Sequence, residues 1–237
     1  MSSEVVLAAR NLGKRFGNLV AVNDISLDLP AGEIMGLVGP NGSGKTTLVN
    51  LISGTYRGYE GEVYLCGASV AGSRPHRLAR MGLNRTFQIP KPFHTLTVEE
   101  NVRLAAHYSG KHADDAEAAL EFTGLLPLAH RSAGSLNVGQ QKLLDLGRAL
   151  ATVPKVLLVD ELAAGLGPKE MAEIAEKLRT LAARGVALLV VEHLLAFLNE
   201  LTSRVLVMNA GNRIFEGKLA EAAEDPLVVE VFLGDGT

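Results

Sequence analysis

The sequence predicts an α/β domain built on a largely parallel sheet, and three observations lead there. Fully apolar runs such as Val156–Val159 and Val186–Val191 suit strands buried on both faces. Amphipathic helical patterns fall between such runs, notably from Pro168 to about Arg184. A glycine-rich loop, Gly39-Pro40-Asn41-Gly42-Ser43-Gly44-Lys45-Thr46-Thr47, joins the apolar run Glu33–Val38 to a helical pattern through Ile52.

Each element follows from local chemistry. Val5–Leu7 and Ala21–Leu29 read as strands, with a turn over Lys14–Asn18. Phe16 in that turn lacks apolar neighbours, which suits either stacking on a base or partial burial. Beyond the loop's helix come a turn at Gly58–Gly61, a strand Glu62–Cys66 and a short Arg- and His-rich helix over 75–81. Gly82–Phe87 reads as a strand running into Thr86-Phe87-Gln88. Pro90 and Pro92 then exclude helix and central strand.

Thr97, with Glu100 completing a capping box, starts a helix to about Tyr108. Ala113–Phe122 is a second helix, Gly124–Ser135 a looser connection and Gly139–Ala151 a third helix. Gly147 inside it costs about 1 kcal/mol against alanine, which points to close backbone packing. His193–Glu200 reads as helix, Val205–Met208 and Arg213–Phe215 as strands, and 218–233 as one or two short helices. From about 89 to 150 there are helices and no strand, so this stretch reads as a helical subdomain inserted into the sheet domain.

Composition narrows the function classes. The 237 residues are 47% hydrophobic, ample for a core, and the net charge of −3 gives no global basic field for nucleic acid or anionic lipid. The single cysteine, Cys66, excludes a disulfide framework and a thiolate metal cluster. Met1-Ser2-Ser3-Glu4 lacks the basic start of a signal peptide. The longest apolar candidate for a membrane span, Val186–Leu198, is broken by Glu192 and His193. The expectation is a protein that is soluble by itself and meets a membrane only through a partner.

The loop carries the chemistry. It fits G-x-x-x-x-G-K-[ST], in which glycines let successive backbone N–H groups face phosphate oxygens. The helix that starts there adds about half a positive charge. Lys45 can reach the β- and γ-phosphates, and the Thr46 hydroxyl can bind Mg²⁺. The expected ligand is a nucleoside triphosphate with Mg²⁺. Asp160 and Glu161 end the apolar strand Val156–Val159, and ionised carboxylates there resist burial without partners. Asp160 is the Mg²⁺ candidate, and Glu161 is placed to polarise a water for attack on the γ-phosphate. His193 leaves its own buried strand in the same way and suits a γ-phosphate contact. Leu136-Asn137-Val138-Gly139-Gln140-Gln141 opens a helix whose N-terminus is another anion-binding end.

In the order Gly39–Thr47, Gln88, Leu136–Gln140, Val156–Glu161 and His193, these segments resemble the Walker A, Q-loop, signature, Walker B and switch histidine of ABC transporter nucleotide-binding subunits. The resemblance covers nearly the whole chain. It implies a P-loop NTPase (RecA-like) core with a mainly parallel sheet, an antiparallel β subdomain and an inserted α-helical subdomain. Residues 1–237 would form one nucleotide-binding domain, with 1–88 and 152–237 as ATPase core and β subdomain and 89–151 as helical subdomain. It also implies that Phe16 stacks on adenine and that Gln88 senses Mg²⁺ and the attacking water. Asn137, Gly139 and Gln140 would contact ATP held by the Walker A of a second subunit. Residues 89–103 would receive a membrane permease, placing the chain on the cytoplasmic face of a bacterial or archaeal inner membrane, with a solute-binding protein as an indirect partner. Nucleic acid is not an expected partner. Arg85-Thr86-Phe87-Gln88, Leu96–Val102, Gln140-Gln141 and Asp225-Pro226 to Leu233-Gly234 resemble the branched-chain amino acid transport branch. The rival readings are an ATPase of another ABC transport branch and a soluble, non-transport ABC ATPase.

The sequence departs from the family pattern mainly in what it lends to a partner. Asn137 stands where serine is usual, Val138 where the first signature glycine is usual, and Gly167 where aspartate or asparagine is frequent. An amide can still donate to a phosphate oxygen. In a heterodimer, the site that uses this signature is expected to turn over more slowly.

Overall fold

The computed structural model describes residues 4–202 and 204–234. In chain order the strands are β1 (Val5–Phe16), β2 (Leu19–Pro30), β3 (Ile34–Val38), β4 (Glu60–Leu65), β5 (Ala68–Ser69), β6 (Leu83–Arg85), β7 (Val156–Asp160), β8 (Ala187–Val191), β9 (Arg204–Asn209) and β10 (Asn212–Lys218). The helices are α1 (Lys45–Ile52), α2 (Pro75–Met81), α3 (Val98–Ser109), α4 (Ala113–Thr123), α5 (Val138–Leu150), α6 (Pro168–Ala183), α7 (Leu195–Leu201), α8 (Leu219–Ala222) and α9 (Pro226–Gly234).

One sheet runs β10-β9-β3-β8-β7-β6 and is parallel except for the β9–β10 pair. The other runs β2-β1-β4-β5 and is antiparallel. The apolar runs are explained by strand parity. Met35 and Leu37, Val156 and Leu158, Ala187, Leu189 and Val191, and Leu206 and Met208 join one core, with α1 and the antiparallel sheet. Ile34 and Val38, Leu157 and Val159, Leu188 and Val190, and Val205 and Val207 join a second core, with α6, α7 and the C-terminal helices. A strand sandwiched this way needs apolar side chains at every position. A third core, from Val98 to Ala151, binds α3, α4 and α5 to one another.

Several boundaries move. The turn expected over Lys14–Asn18 shrinks to Gly17 and Asn18, because β1 continues through Phe16 in register with β2. The strand placed at Glu62–Cys66 starts at Glu60 and ends at Leu65, and Cys66 turns away with φ 49°. The strand placed at Gly82–Phe87 keeps only Leu83–Arg85, which frees Phe87 and Gln88 for the loop beyond. The helix placed at His193 begins at Leu195, so His193 lies in the preceding turn. Gly147 marks no close backbone approach: a Cβ there would meet the Thr123 side chain at 3.5 Å, an ordinary contact. Among the described residues, no helix is long and apolar enough to cross a membrane.

Candidate functional site

The loop between β3 and α1 needs glycine for two different reasons. Gly39, Gly42 and Gly44 all have positive φ, at 150°, 81° and 104°. A Cβ on Gly39 would lie 2.1 Å from the Met208 carbonyl oxygen, and one on Gly44 would lie 2.3 Å from that of Ala21. Neighbouring strands therefore press the loop into its curl. The first N–H groups of α1 have no intrahelical acceptors and form an anion-binding end. The buried Lys45 folds across the loop, its Nζ donating to the carbonyls of Gly39 at 2.6 Å and Pro40 at 2.9 Å. Burial lowers the pKa of this ammonium, while Glu161 and Asp160 act to raise it.

A pocket of about 560 Å³ opens over the loop, lined by Phe16, Leu19–Ala21, Asn41–Thr47, Glu161 and Ala210. Phe16 is 43% exposed. Its ring meets Tyr56 edge-on at 5.5 Å between centroids, with Lys14 Nζ 5.2 Å from its own.

Strand parity sends Asp160 to the α1 side of the sheet. There its Oδ2 accepts from Arg85 at 3.1 Å, and the same guanidinium donates to Asn50 Oδ1 on α1 at 2.6 Å. Burial raises the pKa of Asp160 and Arg85 opposes the rise. Glu161, the next residue, adopts a left-handed backbone with φ 46°, its N–H donating to Val191 O at 2.9 Å. Its Oε2 accepts from Gln88 Nε2 and lies 3.1 Å from His193 Nε2. Gln88, Glu161 and His193 thus come together from the C-terminal ends of β6, β7 and β8, three neighbouring parallel strands. Ligands of open α/β sheets bind at that edge.

Asn137, Gly139 and Gln140 lie elsewhere, and none of them lines the pocket. Asn137 is the N-cap of α5: its Oδ1 accepts from Gln140 N–H at 2.8 Å, and Gln140 Oε1 accepts from Asn137 N–H at 3.1 Å. The cap uses the Asn137 oxygen and leaves Nδ2 as the donor for a ligand.

Sequence reasoning assigned no role to five charged residues around these loops, three of them (Lys142, Asp145 and Glu192) buried. Arg85 carries no signal of its own in the sequence, because its partners Asn50 and Asp160 lie 35 and 75 residues away. Asp145 on α5 accepts from Phe87 N–H at 2.8 Å and so fixes the start of the Gln88 loop. Arg148, one turn on, donates to Lys91 O at 3.0 Å. Lys142 and Glu192 hold the backbone that follows Glu161. Phe87 and Lys91 are reached through backbone atoms, so no pairing of residue types announces them.

The comparisons with known proteins fit this geometry. The family model for ABC transporters matches residues 22–164. The chain belongs to the ABC transporter family. As an ATP-binding subunit of an ABC transporter, it hydrolyses ATP to ADP and phosphate to drive transport. It is 37% identical to a "probable branched-chain amino acid transport ATP-binding protein LivG" of Archaeoglobus fulgidus, over 97% of this chain and 95% of that one. It is 35% identical to the "high-affinity branched-chain amino acid transport ATP-binding protein LivG" of Escherichia coli K12, covering 98% and 99%. Among solved structures, the ADP conformation of the ABC transporter cassette MJ1267 matches with a TM-score of 0.89 at 33% identity, covering 97% of this chain and 99% of that one. The dimeric cassette MJ0796 matches with a TM-score of 0.80 at 26% identity, covering 90% and 98%. The P-loop core, the antiparallel sheet and the helical segment of the present cassette are those of an ABC ATPase.

Proposed function

We propose that this cassette powers an importer of branched-chain or related amino acids and works as one of two cassettes closing on shared ATP. One observation carries the mechanism. The pocket of this chain holds the P-loop and Glu161, with Gln88 hydrogen-bonded to that carboxylate and His193 Nε2 3.1 Å from it, while the Asn137–Gln140 box lies outside it. Each nucleotide is then bound by the loop Gly39–Thr47 of one chain and by Asn137, Gly139 and Gln140 of the other, in a homo- or heterodimer.

Within its own half-site, Lys45 gives up its carbonyl partners for the β- and γ-phosphates, and the α1 N–H groups bind the same oxygens. Phe16 stacks on adenine. Glu161, held by Gln88 and His193, polarises the attacking water, and His193 contacts the γ-phosphate. The Thr46 hydroxyl, the Asp160 carboxylate and the Gln88 amide oxygen are the groups that would hold Mg²⁺, and their hard oxygen donors suit that ion. Gln88 spends its Nε2 on Glu161, so its oxygen remains for the ion. Held by these residues, Mg²⁺ would supply positive charge to the phosphates.

The chain acts as one cassette over 1–237, with 1–88 and 152–237 as core and 89–151 as helical subdomain. The separate core from Val98 to Ala151 supports that division. A permease docks near 89–103, where Ile89 is 71% and Phe93 50% exposed beside a loop pinned by the buried Asn101. The cassette then sits on the cytoplasmic face of the membrane. The amino-acid substrate is supported by what the LivG relatives are named for.

Reconstitution with a permease pair and a binding protein in vesicles tests this. Leucine, isoleucine or valine should stimulate ATP hydrolysis and enter the vesicles. Recovery of the cassette with ribosomes or DNA, and not with a permease, would overturn the transport reading.

A further inference from the structure

The backbone just after Glu161 is held from two sides by buried charges. Lys142 is 4% exposed, and its Nζ donates to the carbonyl oxygens of Glu161 at 3.1 Å, Leu162 at 2.8 Å and Ala164 at 2.5 Å. That uses all three ammonium protons. Glu192 is fully buried; its Oε1 accepts from Ala163 N–H at 2.9 Å, and its Oε2 has no hydrogen-bond partner. Between them the two side chains bind three of the four peptides from Glu161 to Gly165, a segment whose first residue, Glu161, has an uncommon left-handed backbone.

An ordinary lysine satisfying stray carbonyls would explain part of this. It would not explain the places from which the two charges come. Lys142 is on α5, two residues beyond Gln140, so it moves with the capping box as one rigid helix. Glu192 directly precedes His193. Strand parity points Glu192 away from the α1 side, so it reaches the segment from beneath the sheet edge. The brace therefore joins the Asn137–Gln140 helix, the backbone of Glu161 and the turn carrying His193.

We infer that Lys142 and Glu192 are positioning residues: they set the placement of the Glu161 carboxylate and tie it to the position of α5. The inference rests on the two-cassette reading above. When α5 docks on the nucleotide held by the second subunit, Lys142 carries the segment 161–164 with it. Occupancy of one site then adjusts the attacking geometry of the other. A charged group is needed for this, because a neutral amine has too few protons for three carbonyls. The charges facing Lys142 are Glu192 and Glu161, and His193 faces both acids. Burial lowers the Lys142 pKa and the two acids raise it.

The test uses the full transporter complex with Lys142→Met, Lys142→Arg and Glu192→Gln. K142M should lower kcat by about 100-fold with KM for ATP nearly unchanged, since a misplaced base costs rate and not affinity. K142R, which still donates to several carbonyls, should recover most of the loss. E192Q keeps the acceptor for Ala163 and removes one negative charge beside Lys142. It should therefore move the alkaline limb of the kcat profile to lower pH. In a mixed dimer, K142M should silence the site containing Glu161 of the same chain, which separates the brace from damage to the Asn137–Gln140 box. If K142M does not fold, E192Q alone decides: an unmoved alkaline limb overturns the inference. A kcat loss that follows the fall in melting temperature and is not rescued by arginine also overturns it. Glu161→Gln run in parallel distinguishes the two readings: if it hydrolyses normally, the role given to Glu161 has failed; if only K142M hydrolyses normally, the brace has.

Discussion

Arg85 and Asp160 form a buried ion pair, NH2 to Oδ2 at 3.1 Å, with side chains only 11% and 7% exposed. The pair is anchored further by Arg85 NH1 on Asn50 Oδ1 at 2.6 Å and by Asp160 N–H on Thr86 Oγ1 at 3.2 Å. It ties β6 and β7 to α1, the helix that follows the P-loop.

Removing one partner should be costly. Arg85→Met leaves a buried carboxylate without its cation and should destabilise the chain by about 3–5 kcal/mol in urea unfolding. The double variant with Asp160→Asn should recover part of the loss. A cost under about 1 kcal/mol would class the pair with solvated surface bridges.

Asp145 makes stability pH-dependent. Burial raises its folded pKa above the ordinary carboxylate value, partly offset by the Phe87 N–H and by Arg148. The protonated form is favoured in the folded state, so this group's contribution is fully present below the unfolded pKa and is lost as pH rises through the folded one. Asp145→Asn keeps an acceptor for Phe87 and cannot ionise. Its stability relative to the parent should therefore climb as pH rises from about 4 towards neutrality. A difference that stays flat over that range would show that Asp145 does not titrate on folding.

Lys45→Ala should remove tight Mg-ATP binding. The ammonium contributes charge-assisted bonds to the phosphates, and losing them should weaken affinity by about 100-fold or more in calorimetry. Unchanged affinity would remove the phosphate assignment.

Glu161→Gln should keep ATP binding, slow hydrolysis by about 100- to 10,000-fold and let an ATP-bound dimer accumulate on gel filtration. In a heterodimer the substitution should be made in each subunit separately. The loss should be larger when it is made in this chain, because the surviving site then relies on Asn137 and Val138. Equal losses would show that these departures do not slow the partner's site.

Much of this was legible beforehand because the signals are local. A parallel strand buried on both faces must be apolar throughout, so Val156–Val159 and Ala187–Val191 declare themselves. The P-loop glycines and Lys45 sit within one turn of chain, and Thr97 with Glu100 spells its cap in four residues. Phe16 is less legible, because pairing with β2, and not its own neighbours, decides that it ends a strand.

The sequence by itself determined the alternation of strand and helix, the phosphate loop and the residues Asp160, Glu161 and His193 at strand ends. Tertiary structure decided that Gln88 and His193 meet on one oxygen of Glu161, and that Asn137–Gln140 stays outside the pocket. It also decided the brace of Lys142 and Glu192. The physical reason is range. Periodicity and turn chemistry act over a few residues, whereas sheet order brings β6, β7 and β8 side by side and sets which distant backbone atoms a buried charge must satisfy.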